Sequence, residues 1–167
     1  TLFRSPAAPP PQKWPTVCAL IPARNEALSL PATLPALLQQ EYPGLFSVIL
    51  IDDRSADDTV AVARMLGEQT SATDRLTVVV GTSLPSGWVG KMWALEQGAR
   101  TCGIGDRNDS LRPDYLFLTD ADIWHAPDSV QRLVVESEAS QLGLNSRMAH
   151  LRCVSRPERF LIPPFVF

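Results

Sequence analysis

Four apolar runs punctuate the chain, at residues 16–21, 46–52, 76–80 and 115–119. Each is short and nearly continuous in apolar residues instead of alternating, the pattern of strands buried on both faces of a parallel sheet. Helical stretches lie between them. The first is predicted over much of 28–40; because Pro31 and Pro35 cannot both take its first position, it should start late or kink, and Tyr42-Pro43-Gly44 ends it. The second runs from Asp57 or Asp58 to about Glu68, burying Val60, Ala63 and Met65-Leu66. A third is predicted from about Lys91 to Arg100, and a fourth from Ala126-Pro127-Asp128 to about Gln141, with acidic charge in its first turn. Residues 148–154 have the composition of a fifth strand. Strands alternating with helices predict right-handed βαβ units and a mostly parallel sheet covered on both faces.

At 167 residues, 45% hydrophobic and 20% charged, the chain is long enough for one cored domain. Residues 1–15 hold the run Pro6-Ala-Ala-Pro-Pro-Pro11 and read as an extended linker; residues 16–155 are the predicted domain. Residues 156–167, ending in Phe160-Leu-Ile-Pro-Pro-Phe-Val-Phe167, begin an apolar segment suited to a membrane interface. No stretch reaches the roughly 18 consecutive apolar residues of a membrane span. The chain starts at Thr1 and stops inside an apolar run, as an excerpt of something longer would. A net charge of −3 without a basic stripe argues against nucleic acid as a partner. Cys18, Cys102 and Cys153 show no paired spacing, which fits a reducing compartment better than a disulfide framework or a zinc site.

The chemistry sits where the apolar runs stop. Val48-Ile-Leu-Ile-Asp52-Asp53-Arg-Ser55 and Tyr115-Leu-Phe-Leu-Thr-Asp120-Ala-Asp122 place carboxylates at the carboxyl edge of the sheet, where open α/β sheets bind ligands. The Asp-x-Asp suits a divalent metal bridging a diphosphate, since Mg²⁺ or Mn²⁺ commonly binds one or two carboxylates plus substrate phosphates. The bland reading makes these aspartates turn and capping residues. Asn25 and Glu26 follow the first strand at the same edge and are ligand contacts or a capped turn. Lys91 opens a helix after a loop with Gly87 and Gly90, facing phosphate or solvent. That loop is neither a Walker A nor a G-x-G-x-x-G. His125 is a metal ligand or a structural residue, and Trp88 and Trp93 wall a sugar or base or pack in the core.

Taken in order, Ala19-Leu-Ile-Pro22-Ala-Arg-Asn25-Glu26, Ile51-Asp52-Asp53-Arg-Ser55 with Asp57-Asp58-Thr59, Gly90-Lys91-Met-Trp-Ala-Leu95 and Thr119-Asp120-Ala-Asp122 resemble the signature of family 2 glycosyltransferases. The wording of Gly87-Trp-Val-Gly-Lys-Met-Trp-Ala94 and Asp122-Ile-Trp-His-Ala-Pro-Asp128 is similar to the hopene-associated members of bacterial hopanoid gene clusters. The resemblance implies a GT-A fold, a three-layer αβα arrangement, and a nucleotide-sugar donor, UDP-linked. It implies that Pro22, Arg24, Asn25 and Glu26 line the nucleoside pocket, that Asp53 faces the base, and that Asp52 supports the strand-end turn. Lys91 would lie by the nucleotide and diphosphate, Asp120 would approach the ribose or the metal, and Asp122 would coordinate Mn²⁺ or Mg²⁺. The same resemblance implies an inverting transfer to a lipid or polyisoprenoid-type acceptor, by a membrane-anchored parent at the cytoplasmic face of the bacterial inner membrane.

The chain also departs from the family pattern. The acidic acceptor-side motif that supplies the general base, and the Gln-x-x-Arg-Trp motif, do not occur before Phe167. The base is therefore expected beyond residue 167, with this chain supplying the donor half. Glu136 and Glu138 are not assigned that role. Two rival readings stay open: a non-catalytic nucleotide-sugar-binding module, and a haloacid-dehalogenase-like phosphatase using Asp120 and Asp122. The second wants Thr or Val where this chain has Trp124. A nucleotidyltransferase would need a glycine-rich basic loop after the first strand, which is missing.

Overall fold

The structure is a computed structural model that describes residues 9–105 and 112–148. Its elements alternate as the apolar pattern requires: β1 (Val17–Ala23), α1 (Leu30–Leu38), β2 (Phe46–Asp52), α2 (Thr59–Gln69), β3 (Leu76–Val80), α3 (Gly90–Thr101), β4 (Tyr115–Leu118) and α4 (Ser129–Ser140). The strands form one parallel sheet in the order β3-β2-β1-β4. The chain builds outward from β1 through β2 to β3, then crosses back to place β4 on the other side of β1. The order thus reverses between β1 and β4, and at that switch point the carboxyl ends of the strands open a crevice.

Sidedness follows the two-residue period of the strands. Val17, Ala19, Ile21 and Ala23 of β1 face a core built with Leu30, Leu34, Leu37 and Leu38 of α1, Ala63 and Leu66 of α2, and Val130 and Val134 of α4. Cys18 and Leu20 face the other way, joining Ile49 and Ile51 of β2 beneath Ala94 of α3. Leu20, Leu50 and Ile51 are fully buried, each burial worth about 1.5–3 kcal/mol relative to exposure. Gly98 lets α3 approach this closely: a Cβ there would meet Ile51 Cδ1 at 2.6 Å. α3 covers β1 and β2, whereas on the same side of β4 Leu116 and Leu118 are 37% and 57% exposed. α4 is tied to the other layer through Gln40, whose amide donates to the Ala126 carbonyl (2.7 Å) and accepts from the Val130 N–H (3.1 Å).

Several boundaries and faces differ from the sequence expectations for local reasons. β1 continues two residues past Ile21, through Pro22, which pairs with Ile51. Leu20 accepts from the Thr119 N–H on the β4 side and Ala23 from the Asp53 N–H on the β2 side. By alternation, the missing N–H of Pro22 falls on the β4 side, beyond the last β1–β4 pair, Leu20 with Leu118. α1 starts late, at Leu30, with Pro31 in its first turn and Pro35 inside it. In α2 the buried residues are Thr59, Ala63, Leu66 and Gly67, and Met65 is exposed, because a 3.6-residue repeat from Ala63 passes through 66 and 67. The first turn of α4 carries no acidic residue; its only nearby acid is the N-cap Asp128. Cys18 and Cys102 are buried free thiols, and burial pushes the Cys18 thiol up to about 11, which keeps it protonated and inert. Among the described residues no helix is long and apolar enough to cross a membrane. The expected fifth strand, the apolar run after residue 156 and most of the Pro-rich start lie outside the described residues.

Candidate functional site

Two loops at the carboxyl edge are laced together, and the lacing accounts for several of the polar residues that follow β1 and β2. Asn25 takes a left-handed backbone (φ 57°), which Asn tolerates better than most residues. Its N–H donates to Ser55 Oγ (2.9 Å), and its Oδ1 accepts from the Ala56 N–H (2.8 Å). The Glu26 N–H donates to Thr59 Oγ1 (2.9 Å) and the Ala27 N–H to Asp57 Oδ2 (3.1 Å). Asp57 Oδ1 in turn accepts from the hydroxyl and N–H of Thr59. These bonds, that from the Thr59 hydroxyl foremost, hold the Asp57 carboxyl below its ordinary range. The helix α2 is therefore entered through Asp57, not through a side-chain cap from Asp58.

Within this frame the two aspartates after β2 separate. Asp52 is buried at 4% exposure, and both its carboxylate oxygens lie 3.3 Å from the Ser55 N–H. Its carbonyl accepts from the Gly81 N–H at 2.8 Å. It is buried at the turn that follows β2. Asp53 stands forward, with Oδ2 3.6 Å from the exposed Arg24 guanidinium. A Cβ on Gly90 would come within 3.0 Å of that oxygen, so the glycine at the start of α3 admits the Asp53 carboxylate beside the helix.

On the other side of β1, Lys91 Nζ reaches across to Asp120 Oδ1 at 2.5 Å, both side chains about half exposed. Lys91, Asp120, Asp122, Trp124 and Pro22 lie along one broad open surface that extends from the crevice over β4 and α4. The Asp120-Ala-Asp122 segment is fixed from beneath: Ala121 is buried, and its carbonyl accepts a 2.6 Å hydrogen bond from Thr33 Oγ1 of α1. His125 lines the same surface, half-buried, and its ring is held from two sides. Its Nε2 bonds Thr119 Oγ1 (2.8 Å), its ring meets Phe117 edge-on at 5.1 Å, and burial lowers its pKa from 6.5. The hydrogen bond brackets the acidic segment between Thr119 and His125.

The loop between β3 and α3 is anchored by Gln97, whose Oε1 accepts from the Thr82 N–H (2.8 Å) and hydroxyl (3.0 Å). Trp93 is half-buried between the Trp88 ring (5.2 Å) and the Arg100 guanidinium (5.9 Å), while Trp88 and Val89 stay exposed beside Lys91. Glu138 accepts from the Tyr115 hydroxyl (2.6 Å) at the start of β4, away from the carboxyl edge. Glu136 is held by Arg147, which lowers its pKa.

The structure thus brings Pro22, Arg24, Asp53, Lys91, Asp120 and Asp122 to one edge. At the same edge exposed Asn25 and buried Asp52 also hold the loops through their hydrogen bonds. Sequence reasoning missed Thr33, Ser55, Gln97 and the bracketing role of His125; the signal that marks Thr33 is a hydroxyl on the apolar face of an otherwise leucine-rich helix.

A four-stranded parallel sheet with a carboxylate-lined switch-point crevice defines an α/β fold of GT-A type. Residues 18–142 match Glycosyl transferase family 2, and the chain belongs to that family. It is similar, at 30% identity over 92% of its length and 32% of the relative's, to an N-acetylglucosaminyltransferase of Mesorhizobium japonicum. A 4,4'-diaponeurosporenoate glycosyltransferase of Staphylococcus haemolyticus is 29% identical over 75% of this chain and 29% of that one. The chain therefore spans about a third of the length of these curated relatives. Among solved structures, a mannosyltransferase from Pyrobaculum calidifontis in complex with GDP-Man and Mn²⁺ superposes with a TM-score of 0.61 at 27% identity, covering 80% of this chain and 36% of that one. TarS of S. aureus in complex with UDP-GlcNAc shares the fold (TM-score 0.55, 17% identity, 81% of this chain and 37% of that one).

Proposed function

We propose that the chain is the donor-binding part of an inverting, metal-dependent hexosyltransferase that takes a UDP-linked sugar and delivers it to a lipid or polyisoprenoid-type acceptor. The observation that carries this reading is the convergence of Lys91 and Asp120 across the β1–β4 switch point, with Asp53 and Arg24 on the other side of β1. A cation and carboxylates at one crevice match a ligand that combines anionic phosphates with a metal.

The donor set fits Mn²⁺ or Mg²⁺. Among the described residues no three ligating side chains cluster, so Asp122 and Asp120 would supply one or two oxygens and leave the remaining positions to phosphate and water, as these ions commonly bind. A bound metal would offset the charge that develops on the departing nucleotide diphosphate. Lys91 would face the same phosphates, Asp53 the base, and Pro22, Arg24 and Glu26 the nucleoside. Asn25 and Asp52 would keep the loops in place. A mannosyltransferase relative in complex with GDP-Man and Mn²⁺ supports metal use and keeps GDP as a comparison donor.

The motif resemblance is what supports a general base and a membrane anchor in the parent protein, and a location at the cytoplasmic face of the inner membrane. The hopene-associated wording of the Gly87–Ala94 and Asp122–Asp128 stretches is what favours a lipid acceptor. Calorimetric titration of UDP and GDP, each in Mn²⁺ and in EDTA, tests the donor reading. UDP should bind more tightly than GDP, and Mn²⁺ should tighten it; equal binding in Mn²⁺ and EDTA would remove the metal role of Asp122.

A further inference from the structure

We propose that Lys91 and Asp120 form an ion-pair latch that makes metal and nucleotide diphosphate bind cooperatively. The inference rests on the donor-site reading above and adds to the coupling that a bridging metal supplies a second one, carried by the ion pair. Lys91 is the second residue of α3, which packs over β1 and β2; Asp120 follows β4, on the far side of β1. Their contact at 2.5 Å spans the switch point. It joins the cation suited to phosphate with a carboxylate suited to metal.

The consequence is a matter of charge. An ammonium engaged by a carboxylate faces a phosphate only by giving that contact up, and the carboxylate is a poorer divalent ligand while the ammonium lies against it. Metal alone, or diphosphate alone, must therefore break one ion pair to gain one. Both together replace one pair with two, Lys91 with phosphate and Asp120 with metal. Each ligand prepares the site for the other, and the reciprocity is required by linkage. The pair is half exposed, so its strength is that of a surface salt bridge, at most about 1 kcal/mol, or roughly a fivefold change in affinity.

The latch gives opposite signs to effects that a simple contact role would give one sign. Lys91→Met should tighten Mn²⁺ binding in the absence of nucleotide about fivefold, read by electron paramagnetic resonance of free Mn²⁺, while weakening UDP binding. Arg24→Gln, which removes a cation facing Asp53 instead, should change nucleotide-free Mn²⁺ binding by less than twofold. Asp120→Asn should tighten UDP binding in EDTA about fivefold while reducing the gain from Mn²⁺. Wild-type chain that binds UDP with a Mn²⁺ gain, but whose Lys91→Met variant binds Mn²⁺ no better and whose Asp120→Asn variant binds metal-free UDP no better, overturns the latch and leaves the donor site standing. Absence of any UDP binding by the wild type overturns both.

Discussion

The Thr33 hydroxyl of α1 donates a 2.6 Å hydrogen bond to the carbonyl of Ala121, 88 residues away in sequence. The bond joins the first helix to the centre of the Asp120-Ala-Asp122 segment, and Ala121 is buried beneath it. The position of both carboxylates over the crevice therefore depends on a helix that contributes no charged group to it.

Thr33→Val keeps the shape of the side chain and removes the donor. It leaves a buried carbonyl unpaired, which costs about 1–3 kcal/mol. Urea denaturation should show that loss. Titration should show a weaker Mn²⁺-dependent component of UDP binding with the metal-free component unchanged.

The loop lacing makes Asn25 a structural residue with a graded substitution series. Asn25→Ala loses the acceptor for the Ala56 N–H and retains a φ of 57° that alanine resists, a combined loss of about 2 kcal/mol. Asn25→Gly relieves the backbone but not the lost bond, and Asn25→Asp keeps an acceptor. Thermal unfolding should rank the variants Asp, Gly, Ala in falling order. An alanine variant as stable as wild type would contradict the lacing.

Burial holds the His125 imidazole below its ordinary value of 6.5. As pH falls through about 6.5 the unfolded chain takes up this proton first, so stability declines with falling pH and levels off once the folded protein is protonated too. Above that range the group contributes no pH dependence. His125→Gln should flatten this limb of the stability profile relative to wild type between pH 7 and about 5, measured by chemical denaturation across the range. An unchanged slope would show that the imidazole is not desolvated in solution.

The strands and their ends were legible in the sequence because continuous apolar runs stop at Asp52 and at Asp120, although in β4 the run does not mean burial, since Leu116 and Leu118 are exposed. The extension of β1 through Pro22 was not, since a proline reads as a strand terminator until the early end of β4 removes the need for its N–H. The acidic residues were visible as a cluster, but their division of labour, Asp52 in the turn and Asp53 facing the base, was an expectation from the family resemblance and not from the residues themselves. Asp52 and Asp53 are adjacent and chemically identical, and only burial against Ser55 separates the turn support from the group beside Gly90. Thr33, Ser55 and Gln97 were illegible for a general reason: a hydrogen bond between distant segments leaves no periodicity.

The central claim is that one crevice holds a nucleoside beside Asp53 and a metal-bridged diphosphate beside Asp122. Calorimetric titration of UDP into wild type, Asp53→Ala and Asp122→Asn, each in Mn²⁺ and in EDTA, tests it most directly. The account predicts separable defects. Asp122→Asn should lose most of the Mn²⁺-dependent gain and keep metal-free binding, whereas Asp53→Ala should weaken binding in both conditions by about tenfold, or 1.4 kcal/mol. Two variants that bind UDP as the wild type does, with and without Mn²⁺, would contradict the account.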